Sequence, residues 1–227
     1  MILIVGGAVL LAIALILAVR AFRQGEVSTG PKGASPSSVV NVQKTKSEGL
    51  ALFNRGRVKE SVPKLVDYLK KEPDDAQART TLALAYSALS KPERALSEYR
   101  AILKDHPKDG PTLYRLGLLM RQLDKPKDSV KYIEQAVAVD EKNPTFHAEL
   151  AKAYAQEKEY GKALEEWNLV LKLTAPKDPY RAGIHGHIGD IYLRLGQPAR
   201  AKSSYRAGLA FDPRNKYLRN QLARAGE

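Results

Sequence analysis

The sequence predicts an all-α protein, a right-handed α-solenoid of about five helical hairpins with a C-terminal cap helix. Apolar residues recur three and four positions apart, as in Leu82, Ala83 and Tyr86, which is a helical spacing. Proline interrupts this pattern between short segments, as Pro92 and Pro107 do. The segments repeat with a period of about 34 residues, and a fixed period of helix–turn–helix units is typical of a solenoid.

Residues 76–109 form the clearest unit. One helix carries Leu82, Ala83 and Tyr86, and the next begins near Pro92, where proline fits the first helical turn. A hairpin this short cannot bury both of its apolar faces alone. It therefore needs neighbouring hairpins of the same shape.

Two positions of each unit hold small residues, and two hold large ones. Small residues let paired helices approach closely, while large residues fill the space between hairpins. The small positions are Gly49, Ala83, Gly117, Ala151 and Gly189 in the first helices and Ser61, Ala95, Ser129, Ala163 and Ala201 in the second. The large positions are Leu52, Tyr86, Met120, Tyr154 and Tyr192 in the first helices and Leu65, Tyr99, Ile133, Trp167 and Tyr205 in the second.

These positions resemble those of the tetratricopeptide repeat (TPR) family, which places small and aromatic residues at these points and closes each repeat with proline. Pro73, Pro107 and Pro213 match the closing position, whereas Glu141 and Ala175 do not. The resemblance covers about residues 42–213. It implies five repeats, at 42–75, 76–109, 110–143, 144–177 and 182–215, followed by a cap helix over 214–227. Pro63 implies either a late start of the second helix or a kink in it.

The N-terminus predicts a membrane anchor over residues 1–20. Ile2 to Val19 carry no charge, and a helix of this length spans about 27 Å, close to the thickness of a bilayer core. A cleaved signal peptide is the alternative. Arg20 and Arg23 follow the span, so the positive-inside rule predicts cytoplasmic repeats at the cell membrane, with an extracytoplasmic location as the alternative. Residues 21–41, rich in Gly, Ser and Pro, predict a flexible linker.

Composition argues against several classes of function. The chain has no cysteine and a net charge of +12, with both signs interleaved along the repeats, so nucleic acid is not an expected partner. No phosphate-binding loop or HExxH motif is present, and we expect no enzyme activity, cofactor or metal site. We place His185 near the groove and His187 beside the core, too far apart in direction to share a metal. The phase of Trp167 places its side chain in the core.

The TPR resemblance implies that the first helices line a concave groove that binds a protein or peptide. Apolar anchors and positive charge in this groove suit an extended or helical peptide with some acidic residues. The implied partner-binding residues are Phe53, Asn54, Leu84, Ser87, Tyr114, Leu118, Arg121, Gln122, Lys152, Gln156, Asp190 and Arg194.

The sequence thus predicts a membrane-tethered scaffold or adaptor that binds a partner in its groove and recruits or assembles a complex at the membrane. It looks like the membrane-anchored TPR proteins of bacteria. One alternative is an outward-facing assembly chaperone for an envelope or secretion system, and another is a subunit of an enzyme whose partner supplies catalysis. Small pairs in the span, such as Ala8 and Ala12, also allow a homo-oligomer.

Overall fold

The computed structural model describes residues 36–225, which form eleven α-helices and no strand. The helices are α1 (Pro36–Asn54), α2 (Val58–Leu69), α3 (Ala76–Ala88), α4 (Pro92–Asp105), α5 (Gly110–Gln122), α6 (Pro126–Val139), α7 (Pro144–Gln156), α8 (Tyr160–Leu173), α9 (Tyr180–Arg194), α10 (Pro198–Phe211) and α11 (Lys216–Arg224). Successive pairs from α1–α2 to α9–α10 are the five predicted hairpins, and α11 follows them.

The N-terminal predictions fall mostly outside the described residues. The predicted anchor, 1–20, lies there entirely, as does the linker up to residue 35. Residues 36–41, which we predicted as linker, are helical, because Pro36 fits a first turn and the helix continues into its packed part. Within residues 36–225, no helix combines the length and apolar character needed to cross a membrane. Residues 45–225 belong to one compact unit, the repeat array, which is described below.

The first helices of repeats 2, 3 and 4 are capped at a position set by the repeat. Asp75, Asp109 and Asn143, which occupy the same position of successive repeats, accept hydrogen bonds from the backbone N–H of Ala78, Thr112 and Phe146. A side-chain acceptor at this position satisfies an N–H group that has no partner inside the helix. Asn215 caps α11 in the same way, through Leu218 N–H.

The turns inside the hairpins also follow the repeat period. Each turn contains one residue with positive φ: Gly56 (75°), Ser90 (55°), Asp124 (54°), Lys158 (61°) and Gly196 (69°). The first four are equally spaced along the sequence. The last is shifted by the four extra residues, 178–181, that separate repeats 4 and 5. Glycine adopts this left-handed conformation without strain, whereas a β-carbon makes it costly.

The ten small positions predicted from the sequence are all buried. In each of three hairpins, a glycine of the first helix faces a large side chain of the second. A Cβ atom added to Gly49, Gly117 or Gly189 would lie within 2.9 Å of Leu65, 2.4 Å of Ile133 or 2.4 Å of Tyr205, respectively. The small residues therefore set how closely paired helices approach, as the sequence predicted.

The extra four residues before α9 change how this helix begins. The repeat position that holds an acceptor in the earlier hairpins is occupied by Arg181, and α9 starts at Tyr180, where Asp178 accepts from its backbone N–H. The Arg181 guanidinium donates to the carbonyls of Leu171 and Thr174, at 2.8 and 3.1 Å. The insertion thus lengthens α9, and Arg181 satisfies the C-terminus of α8.

Two other predictions concerned the start of one helix and the packing of another. The second helix of repeat 1 starts at Val58 and not near Ser61, so Pro63 lies inside α2. The cap helix α11 packs through Leu218, which is 1% exposed. Its side chain lies against α9 at Gly186 and against α10 at Gly208. The glycine at position 208 leaves room for Leu218 because an added Cβ would lie 2.8 Å from it.

Candidate partner-binding groove

Four of the predicted groove residues line one cleft between α7 and α9. Lys152 and Gln156 come from α7, and Asp190 and Arg194 come from α9. The cleft has a volume of about 180 Å³ and is completed by Ala155, Trp167, His187 and Ile191. Gln156 and Arg194 are exposed, so both side chains are available to a ligand. The helical repeat brings these residues together although they come from different hairpins.

Trp167 and His187 form the wall of the cleft. Their rings stack with centroids 4.7 Å apart and an angle of 11° between the planes. Trp167 is 1% exposed, so its predicted place in the core is confirmed. Part of the His187 side chain is exposed, yet burial of the ring and the nearby Lys152 charge lower its pKa below the usual value, so at neutral pH the ring is uncharged.

The sequence-based placement of the two histidines was wrong. His187 lines the cleft, while His185 points to the other side of α9, where its ring stacks on Phe211 at 5.8 Å. Residues two apart on a helix point in nearly opposite directions. If the groove-facing side of the helix is assigned wrongly, the two histidines therefore exchange places. Among residues 36–225, no group of three or more His, Asp or Glu side chains could hold a metal ion.

Glu149 neutralises two of the cations that we predicted to line the groove. This residue is 9% exposed, and its carboxylate forms ion pairs with Lys152 at 2.6 Å and Arg121 at 2.9 Å. A buried carboxylate requires such partners, because removing a charge from water without compensation is costly. The positive charge expected along this side of the groove is therefore partly balanced within the protein.

Asp190 also has internal partners. Tyr205 of α10 donates to its Oδ1 at 2.8 Å, and Tyr217 of α11 donates to its Oδ2. Burial and the hydrogen bond to Asp190 raise the pKa of Tyr217 to about 12, so the phenol remains a donor at physiological pH. Asp190 thus holds α10 and α11 against α9, in addition to lining the cleft.

The remaining predicted residues differ in how accessible they are. Tyr114 stacks on Phe146 of α7, with ring centroids 5.2 Å apart, and burial raises its pKa. Ser87 donates to the carbonyl of Ala83 at 3.0 Å within its own helix. The half-buried apolar residues are Phe53, Leu84 and Leu118, while Asn54 and Gln122 are exposed. Tyr114 and Ser87 therefore contribute to packing or to their own helix as well as to the predicted groove surface.

Sequence reasoning missed three residues of this region: Glu149, His187 and Tyr217. A signal for Glu149 existed, since it lies three residues before Lys152 on the same helix, a spacing at which opposite charges pair. No local signal indicated the contact between Tyr217 and Asp190, which are 27 residues apart.

Comparison with known proteins identifies the family. The family model described as "Psidin, N-terminal TPR repeats region" matches residues 51–182, more than half of the chain. A second model, "Tetratricopeptide repeat", matches residues 182–215, which correspond to repeat 5. The chain therefore belongs to the tetratricopeptide repeat family, in agreement with the resemblance seen in the sequence.

Curated relatives match parts of the array. Human N-alpha-acetyltransferase 25, NatB auxiliary subunit, is 28% identical over 128 residues, covering 56% of this chain and 13% of the human protein. The Hsp70-Hsp90 organising protein of Plasmodium falciparum is 31% identical over 114 residues, covering 49% of this chain and 43% of that protein. The chain thus spans less than half the length of either relative.

Solved structures show the same fold at low sequence identity. MamA (residue 41 to the end) of Desulfovibrio magneticus RS-1 has a TM-score of 0.70 at 19% identity, covering 77% of this chain and 97% of that one. YrrB, described as a TPR protein with an unusual peptide-binding site, has a TM-score of 0.66 at 17% identity, covering 78% and 89%. PilF of Pseudomonas aeruginosa has a TM-score of 0.64 at 18% identity, covering 82% and 88%.

Proposed function

We propose that this protein is a TPR scaffold or adaptor that binds a protein partner along the groove formed by the first helices of its repeats. The observation that carries the proposal is the cleft between α7 and α9. It combines an aromatic wall, Trp167 and His187, with the exposed polar side chains of Gln156 and Arg194. Concave sites with a few placed polar groups on a rigid scaffold are suited to specific recognition.

We propose that the groove binds a partner and carries out no catalytic chemistry of its own. Asp190 of the cleft is engaged by tyrosine hydroxyls, and Glu149, which lies next to Lys152 of the cleft, is engaged by cations. The names of the relatives are consistent with a binding role: one is an Hsp70-Hsp90 organising protein, one is an auxiliary subunit, and YrrB is described as having a peptide-binding site. This chain would act in the same general way, by holding a partner and not by transforming a substrate.

We further propose that residues 1–20 tether the array to the cell membrane, with the repeats in the cytoplasm. The support is the uncharged run Ile2 to Val19 followed by Arg20 and Arg23. In this arrangement the adaptor recruits its partner to the membrane. An extracytoplasmic assembly chaperone for an envelope or secretion system is the alternative, and it differs in the side of the membrane that the repeats occupy and in the type of client.

Topology is tested with one introduced cysteine, since the natural chain has none. Gly226→Cys is placed near the C-terminus, and intact cells are treated with a membrane-impermeant thiol reagent. Protection until the membrane is permeabilised supports cytoplasmic repeats. Labelling of intact cells would favour the extracytoplasmic alternative.

Partner binding is tested by photo-crosslinking from defined positions. A photoreactive amino acid replaces Gln122 or Gln156 in the groove, or Lys131 or Glu165 on exposed faces of the second helices as matched controls. We expect one protein, identified by mass spectrometry, to be crosslinked from both groove positions and from neither control. Equal crosslinking from all four positions, or none from the groove, would contradict a groove-binding adaptor.

A further inference from the structure

The positive charge of the repeat array is concentrated at its C-terminal end. Residues 181–225 contain nine Arg or Lys and two Asp, a net charge of +7. Residues 45–180, three times as many, contain 24 Arg or Lys and 21 Asp or Glu, a net charge of +3. The interleaving of both signs that characterises the first four repeats thus ends where α9 begins.

The two acids in this segment do not neutralise its cations. Asp190 accepts from Tyr205 and Tyr217. Asp212 accepts from the backbone N–H of Arg214 and from the side chain of Asn215. Among the described residues, no ion pair involves any of the nine cations of 181–225, and seven of them have exposed side chains: Arg194, Arg200, Arg206, Arg214, Lys216, Arg219 and Arg224.

The cap helix extends the binding face of the repeats. At the spacing of one repeat, Leu218 of α11 is the counterpart of Ile184 of α9, and both are buried. By the same count, Gln221 and Arg224 take the positions that His187 and Asp190 hold in the cleft. Tyr217 of α11 donates a hydrogen bond to Asp190 of α9. Arg194 lies near enough to Tyr217 for its positive charge to lower the pKa of that phenol, against the effects of burial and Asp190. Arg194 and α11 therefore lie on a continuous face, here called the α9–α11 face.

The type of cation changes at the same point. Seven of the nine cations in 181–225 are arginine, whereas 17 of the 24 in 45–180 are lysine. Arginine binds carboxylates through two parallel hydrogen bonds and is favoured at interfaces. A face with exposed arginines that have no acidic partner is complementary to a chain that carries several carboxylates.

We propose that the α9–α11 face docks an acidic, Asp- or Glu-rich segment of the protein partner, an inference that rests on the proposed function. The packing of the cap helix favours a polypeptide over a lipid surface. Leu218, the main apolar side chain of α11, packs against α9 and α10 and is unavailable for insertion into lipid.

Fluorescence anisotropy with the full chain in detergent tests the proposal. The probes are a labelled Glu/Ser/Gly peptide and a Gln/Ser/Gly peptide of the same length. We expect binding of the first only, and about tenfold weaker binding by the variant Arg194→Glu/Arg224→Glu. Arg55→Glu/Arg100→Glu has the same change in net charge at exposed sites, in the turn after α1 and on α4, and should bind within about twofold of the natural protein.

The outcomes separate this inference from the proposed function. Equal weakening in both charge-reversed variants would mean that net charge alone drives binding, and would overturn the α9–α11 face as a site. Tighter binding of single-stranded RNA or of phosphatidylserine vesicles than of the Glu peptide would overturn the acidic polypeptide. If groove crosslinking from Gln122 and Gln156 persists in either case, the adaptor function stands without this inference. Arg194→Gln/Arg224→Gln, which adds no negative charge, is the second variant if the reversed one fails to fold, with about threefold weaker binding expected.

Discussion

A Cβ atom added to Gly189 of α9 would lie 2.4 Å from Cε1 of Tyr205, a side chain of α10 that is fully buried. The hydroxyl of the same Tyr205 donates to Asp190, the next residue after Gly189. The ring therefore lies directly over the α9 backbone, held by a hydrogen bond at one end. This contact makes the packing of repeat 5 depend on the absence of a side chain at position 189.

Gly189→Ala should lower the free energy of unfolding by about 1–3 kcal/mol, because the methyl group forces Tyr205 away from its position. Urea denaturation followed by circular dichroism measures the effect. Gly183→Ala in the same helix is the control, since nothing lies within 4 Å of the added Cβ. Its expected effect is a gain of up to about 1 kcal/mol, since alanine is the better helix former. A loss of stability in both variants would contradict the packing argument.

Leu218→Ala should lower the free energy of unfolding by about 2–5 kcal/mol, because it leaves a cavity between α9, α10 and α11. The side chain is 1% exposed, which leaves little room for water to compensate. Leu195→Ala, at a leucine that is 40% exposed, serves as the matched control and should change stability by no more than about 0.5 kcal/mol. If both variants unfold at the same denaturant concentration, α11 is not required to cap the array.

His147→Ala should destabilise the protein by about 1–3 kcal/mol, because it removes a buried ring together with its hydrogen-bond contacts. The ring is 4% exposed, with Nδ1 at 2.6 Å from Glu166 Oε2 and Nε2 at 2.9 Å from the carbonyl of Glu141. Guanidinium denaturation of this variant is compared with that of His106→Ala, at an exposed histidine. A comparable loss at the two positions would show that the contacts of His147 contribute nothing specific.

Stability should decrease in alkali partly through Tyr99. Burial raises the pKa of this 2%-exposed phenol to about 12, above its value of about 10 in the unfolded chain. The folded state thus favours the neutral phenol, so its contribution is complete below pH 10 and is lost between pH 10 and about pH 12. Tyr99→Phe removes this ionisation, and its unfolding midpoint in urea should fall less over that range. An identical pH dependence in the two proteins would rule out the contribution of Tyr99.

Lys158→Gly should raise the free energy of unfolding by about 1 kcal/mol, because glycine adopts a positive φ without the steric cost of a Cβ. Lys158 has a φ of 61° in the turn between α7 and α8. Lys131→Gly, inside α6, has the same chemical change at helical φ and should lower stability by about 1 kcal/mol. Thermal melting followed by circular dichroism distinguishes them, and a shift of equal sign in both would contradict the role of backbone conformation.

Much of the fold follows from local patterns in the sequence. The regular spacing of Gly49, Ala83, Gly117 and Ala151 predicted which residues pack against the paired helix, because a helix periodicity states which side chains share a face. Proline predicted a helix start near Pro92, where its ring is compatible with a first turn, and α4 begins at that residue. The TPR resemblance placed in one set the four residues that line one cleft: Lys152, Gln156, Asp190 and Arg194.

The electrostatics of the groove were not predictable in the same way. Arg121 and Lys152 were predicted to add positive charge to the groove, yet both pair with Glu149, and Arg121 does so from a neighbouring repeat. Whether a charge is paired depends on distances between helices that no local pattern contains. The interchange of His185 and His187 has a simpler cause, an error of phase along one helix.

The amino-acid sequence by itself determined the class of this protein, the number of its hairpins and the residues that form their packed faces. These properties are local, since they follow from helix periodicity and from the positions of proline and glycine. The tertiary structure decided which polar groups compensate one another: Glu149 with Arg121 and Lys152, and Asp190 with Tyr205 and Tyr217. Most of these pairs join residues of different helices, so they exist only once packing has fixed the distances between those helices and excluded water from between them.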